Sequence, residues 1–203
     1  EVCFNTGMTG YQEIITDPSY KKQIVTFTHP HIGNTGINID DYESKLIHAS
    51  GMVVKNFCET PSNWRSTSSL EDFLIQNESI AISEVDTREI TSLLREKGAM
   101  NSCIGSLSKI SEEEAIKAAK EFNGLKGMDL AKVVSTKSEY DWNEGIWPEN
   151  KESNQSYSIV AYDYGIKENI LRLLTESLGS VKVVNAKTPF EEIIKLKPNG
   201  LFL

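Results

Sequence analysis

The sequence predicts an α/β protein in two parts. A layered α/β domain occupies residues 1–140, a linker follows at 141–156, and residues 157–203 open a parallel sheet with β-α-β-α-β units. Three observations lead there. Short β-branched runs alternate with amphipathic helical segments along most of the 203 residues. A polar stretch at 138–156 (SEYDWNEGIWPENKESNQS) has no apolar period and breaks that alternation. Beyond it, strand, helix, strand, helix and strand follow at the spacing of parallel crossovers.

Element by element, the opening residues EVCFNT read as a strand, and residues 23–28 (QIVTFT) form another that feeds a Gly/Asn/Pro loop, HPHIGNTGIN. An apolar run at 49–57 and the SIAIS segment at 79–83 are further strands. Residues 69–77 read as a short helix, with Ser68 and Asp72 as its capping pair. The clearest helix is 86–97 (DTREITSLLREK): Asp86 caps it, Glu89 sits three residues on, Ile90, Leu93 and Leu94 share a face, and Gly98 ends it. Residues 100–107 are expected to be a strand, and Ser111 opens a helix through Phe122 with an acidic first turn. Trp142 and Trp147 are expected to pack from the linker onto a neighbouring surface.

In the second part, YSIVAY (157–162) reads as a buried strand and 167–178 as a helix with Ile170, Leu171, Leu174 and Leu178 apolar. Gly179 stops that helix before a strand at 181–184. Thr188-Pro189 opens the next helix, and Pro198-Asn199-Gly200 turns into a strand at 201–203. The apolar run at the end and the absence of an initial Met lead us to expect a fragment.

Composition narrows the function. Against 29 Asp and Glu stand 21 Lys and Arg, a net charge of −8, with no basic run. Phosphate-backbone binding needs the opposite footprint, so nucleic acid is not an expected partner. No apolar run approaches the ~20 residues of a membrane-spanning helix. Cys3, Cys58 and Cys103 are scattered, without a C-x-x-C pair, which points to reduced thiols in a cytoplasmic setting and to no zinc site.

The residues alone carry little chemistry. There is no phosphate-loop signature, and YDYGIKEN has the single Gly165 where a dinucleotide site has three glycines. His29, His31 and His48 have no metal-ligand spacing, and His31 in its loop reads as a loop-fixing or surface histidine ahead of an acid or base. No G-x-S-x-G or G-x-C-x-G elbow is present. Ser19, in the stretch ITDPSY, reads either as turn chemistry or as a ligand contact, because Asp-Pro-Ser suits both.

Several longer stretches carry a resemblance. They are NTGMTGYQE (5–13), TDPSY (16–20), PHIGNTG (30–36), DTREITSLLREKGAMNSCI (86–104), GLKGMDLAK (124–132) and VAYDYGIKENILRLL (160–174). In this order they resemble the small subunit of carbamoyl phosphate synthetase: its N-terminal domain, then the entry to its class I glutamine amidotransferase domain. The resemblance implies hydrolysis of L-glutamine through a cysteine thioester, with an activating His and an acidic residue orienting it. Ammonia then passes to the large subunit, where bicarbonate, ATP and magnesium serve carbamoyl phosphate synthesis for pyrimidines and arginine. It assigns Ser19 a contact to bound glutamine. It places the Cys, His and acidic residue beyond Leu203, so no catalytic residue, metal or cofactor is expected in this chain, and the fragment alone is expected to be inactive. The rival expectation is a non-catalytic α/β binding or docking domain, complete as it stands. A nucleotide- or flavin-binding protein is the weaker third, because the phosphate-loop glycines are missing.

Overall fold

The computed structural model describes residues 1–148 and 156–203, so 149–155 of the expected linker lie outside the described residues. Two compact units emerge, Glu1–Met128 and Asp129–Leu203.

The first unit is laid out in this order: β1 (Val2–Asn5), α1 (Tyr11–Thr16), β2 (Ile24–Phe27), β3 (His31–Ile32), β4 (Gly51–Val53), β5 (Asn56–Phe57), α2 (Leu70–Gln76), β6 (Ala81–Ile82), α3 (Thr87–Lys97) and α4 (Glu112–Glu121). Strands β1-β2-β4-β6 form a parallel sheet, with Val2 paired to Ile24 and Ile24 to Gly51, and β3 and β5 form a separate parallel pair. A parallel sheet is covered on both faces, and β2 is accordingly buried along its whole length. Its side chains alternate between two cores. Val25 and Phe27 join Tyr11, Ile15, Met52, Leu70 and Phe73, whereas Ile24 joins Val2, Val53 and Leu94. Helices α1 and α2 therefore cover one face and α3 the other.

Most of the expected elements form, with four local corrections. The expected strand at 100–107 reduces to one antiparallel bridge, Val2 to Met100, because only Met100 reaches the β1 backbone. The cap of α2 is Ser69, not Ser68: its hydroxyl accepts from the Asp72 amide at 3.0 Å and donates to Asp72 Oδ2 at 2.7 Å. The run at 49–57 splits into β4 and β5, which enter different sheets. In α3, Leu94 is buried but Leu93 faces solvent, which narrows the apolar face. The Asp86 cap forms as expected, its Oδ1 accepting from Arg88 and Glu89. Ser111 and Glu114 close a reciprocal capping box on α4.

The second unit contains α5 (Leu130–Val134), β7 (Tyr140–Trp142), β8 (Tyr157–Asp163), α6 (Glu168–Leu178), β9 (Gly179–Asn185), α7 (Phe190–Lys195) and β10 (Gly200–Phe202). Its sheet runs β10-β8-β9-β7, with β10, β8 and β9 parallel and β7 antiparallel. Leu171 of α6 packs with Ile159, Ala161, Val181 and Val183 on one face, and Ile193 of α7 with Val160, Tyr162 and Val184 on the other. Strand β7 arises where the sequence suggested the start of a linker. Trp142 packs on the α6 core while the Arg172 guanidinium lies 5.8 Å from its ring centroid.

Candidate functional site

The turn that presents Ser19 is built from both sides. Asp17 ends α1 and caps a single 3-10 turn, Pro18–Tyr20, its Oδ1 accepting from the Ser19 amide at 2.8 Å. Pro18 is buried and presets the backbone. Tyr20 is held from the end of β1, where Asn5 Nδ2 donates to its hydroxyl oxygen at 2.9 Å. The Ser19 carbonyl accepts from Gln23 Nε2 at 3.1 Å. Every neighbour of Ser19 is thus fixed while Ser19 itself is exposed, and its hydroxyl makes no hydrogen bond among the described residues. A hydroxyl so held can donate and accept toward a small polar ligand.

A cleft lies elsewhere in the same unit. Thr9–Glu13, Thr35–Asn38 with Asp41, and Asn63 with Arg65 line a cleft of about 250 Å³. Its walls are tied to each other. Tyr11 donates to the Gly36 carbonyl at 2.7 Å and accepts from Thr35 Oγ1 at 2.9 Å. Buried Gln12 exchanges two bonds with the Asn38 backbone, at 2.7 and 3.0 Å. Arg65 reaches Asp41 at 2.7 Å, Asp40 at 3.3 Å and Asn38 Oδ1 at 3.2 Å. Gly36, at φ +67, has room for no side chain, since a Cβ there would stand 2.0 Å from Ser66 Oγ. Burial pushes the Glu13 carboxyl up, and the Asp41 and Glu43 carboxylates push the same way.

Elsewhere the chemistry is restrained. Gly165 makes its turn at φ +98, and Asp163 Oδ1 accepts from the Gly165 and Ile166 amides at 2.8 and 2.9 Å. The N–H groups that a phosphate would use there are already held by a carboxylate. Asp163 Oδ2 accepts from the Thr136 amide at 2.6 Å, so the chain itself sits at the carboxyl end of β8. Burial raises the Cys3 thiol to about 11, far from a reactive thiolate. His31 is exposed on β3. Among the described residues, no helix is long and apolar enough to cross a membrane and no cluster of His, Cys, Asp and Glu suits a metal ion.

Sequence reading singled out Ser19 but not the Arg65 cluster. Arg65 lies 24 positions from Asp41 and 25 from Asp40. No spacing signals a contact made only by loop closure.

Fold and site together define a two-unit α/β protein that holds a seryl hydroxyl rigidly toward solvent. The model for the family "Carbamoyl-phosphate synthase small chain, CPSase domain" matches residues 1–104. The carbamoyl phosphate synthase small chain of Pseudomonas syringae pv. tomato is 53% identical over 210 residues, aligning with 100% of this chain and 56% of the relative. Those of Vibrio cholerae and Thioalkalivibrio sulfidiphilus are 52% and 51% identical, again over 100% of this chain and 55% of theirs. The chain belongs to the carbamoyl phosphate synthase small chain family. It spans about half the length of the curated relatives it matches.

Proposed function

We propose that these residues form the front half of a glutamine-hydrolysing small chain, and that Ser19 contacts the bound glutamine. The whole protein then converts glutamine to glutamate and delivers ammonia to a large chain. There ATP and magnesium drive carbamoyl phosphate synthesis for pyrimidines and arginine. The setting is cytoplasmic, in keeping with three half-buried free cysteines. The observation that carries this reading is the Asp17-Pro18-Ser19-Tyr20 turn, which keeps one hydroxyl exposed while its neighbours are bound from α1, β1 and Gln23.

Chemically, the residues described do the holding. Glutamine has a charged amino-acid end that needs placed donors and acceptors, and a carboxamide that must meet a thiolate. A seryl hydroxyl on a capped turn serves the first need without moving when substrate arrives. The bond-making cysteine, with its His and acidic partner, belongs to residues beyond Leu203.

The test is Ser19→Ala in the full-length protein with its large chain. Glutamine-dependent synthesis should fall about tenfold or more, mainly through KM, from the loss of a polar contact to a charged group. Ammonia-dependent synthesis should stay as in the unaltered protein. Equal glutamine kinetics in the two proteins would remove Ser19 from the site.

A further inference from the structure

Asn123 and Asn199 are each followed by a glycine, Gly124 and Gly200. That pairing carries a chemistry of its own. Glycine has no Cβ, so its backbone nitrogen can close on the side-chain carbonyl carbon of the residue before it. Closure needs those two atoms brought into attack geometry, and so depends on how freely the pair can turn. Both asparagines are exposed, and exposure therefore does not separate them.

Hydrogen bonding does. Asn199 is held twice from β8: its Oδ1 accepts from the Ser158 amide at 2.8 Å, and its own amide donates to the Ser158 carbonyl at 2.8 Å. Gly200 opens β10 and pairs with Ile159. Asn123 lies just past α4, whose last turn closes with the Phe122 amide donating to the Ala118 carbonyl at 3.2 Å. Among the described residues, neither the amide nor the side chain of Asn123 makes a hydrogen bond, and the Gly124 amide makes none either. Gly124 stands at φ +80, a conformation open to glycine. The chain is pinned only on either side of this pair. Asn101 Nδ2 donates to the Phe122 carbonyl, and the Leu125 amide donates to Glu1 Oε1 at 2.9 Å.

We propose that Asn123 is a site of spontaneous deamidation and isomerisation. The Gly124 nitrogen gives its proton to solvent and attacks Asn123 Cγ. A C–N bond forms there, the bond from Cγ to the side-chain nitrogen breaks, and that nitrogen takes up a proton and leaves as ammonia. The product is a cyclic succinimide, which water opens at either carbonyl. Attack at Cγ leaves an aspartate with the main chain intact. Attack at the main-chain carbonyl leaves an isoaspartate, whose chain runs through the former side chain and is longer by a methylene. Water is the sole co-reactant, and both products carry a new carboxylate. In the isoaspartate the added methylene falls between the two anchors, Asn101 to Phe122 and Glu1 to Leu125, and displaces the Leu125 amide from Glu1. The reaction requires nothing of the function proposed above.

The test is to incubate the full-length protein at mildly alkaline pH, native and in urea, and to follow its tryptic peptides by chromatography and mass spectrometry. In the native protein the peptide 121–126 should split into two products of equal mass, each heavier than the parent by the exchange of an amide for a carboxyl. Its rate should exceed that of the peptide containing Asn199 by about tenfold or more, since Asn199 must first give up its bonds to Ser158. In urea, where those bonds are gone, the two rates should converge. Asn123→Gln, whose longer side chain disfavours the ring, should leave peptide 121–126 unchanged in mass over the same period. In the native isoaspartyl fraction the Leu125 amide should exchange faster than in fresh protein. Equal rates at Asn123 and Asn199 in the native protein would overturn the proposal. So would an Asn123 that reacts only in urea, because the fold would then protect it. A difference that persists unchanged in urea would also overturn it, because flanking residues and not the structure would set the rates.

Discussion

Arg65 and Glu13 show how much one side chain decides in this molecule. Arg65 gathers Asp40, Asp41 and Asn38 and so ties the turn at 38–41 to its own loop, while Gln12 ties the same turn to α1. Its removal leaves two neighbouring carboxylates without their cation. Arg65→Ala should therefore destabilise the first unit by about 1–3 kcal/mol, measured by urea unfolding, with the loss reduced at high salt. Glu13 acts in the opposite direction. Its carboxyl is raised by burial and by Asp41 and Glu43. A carboxyl with a raised folded-state pKa supports folding below its unfolded pKa, and that support is lost as pH rises through the folded value. Glu13→Gln should then melt slightly higher than the unaltered protein at pH 7, with the difference vanishing near pH 4. An equal gain at both pH values would mean that the charge is not what costs stability there.

At the scale of elements, two well-capped helices should respond differently to loss of the cap. The Asp86 cap on α3 supports a helix whose Leu94 is buried against Val2, Ile24 and Val53. The Ser111 box on α4 supports a helix with no buried residue. Asp86→Ala should cost about 1 kcal/mol of the first unit's stability. Ser111→Ala should leave that stability nearly unchanged and speed amide exchange only across 112–121, because a helix without a packed face opens locally. Equal global losses for the two variants would mean that α4 is tied down by contacts outside those described. Helix α1 is the reverse case. Its six residues are too few to show a period, so the sequence does not announce it, and it exists because Tyr11 and Ile15 enter the core.

At the scale of the whole molecule, each unit rests on its own layered core. Leu171 is fully buried at the centre of one face of the second sheet. Leu171→Ala should cost that unit about 2–5 kcal/mol, read as faster amide exchange in β8 and β9. That architecture was legible to a large extent. The β-branched run at 23–28 predicted a strand, and the run at 157–162 predicted a buried one because a parallel sheet hides both faces. The pattern at 167–178 predicted α6 because its apolar residues recur at helical spacing. Turn chemistry also told of a rigid Asp17-Pro18-Ser19 corner, and family resemblance picked out Ser19. By itself, then, the sequence determined the α/β class, most strands and helices, the capped turns and the family, since these depend on local period, local hydrogen bonding and ordered motifs. Only the tertiary structure decided that 100–107 makes a single bridge, that 140–142 pairs with β9, and that Arg65 closes an acidic cleft beside Glu13. Each of these is a contact between residues far apart in the chain, set by which backbone or charge the fold brings within reach, and no local pattern encodes it.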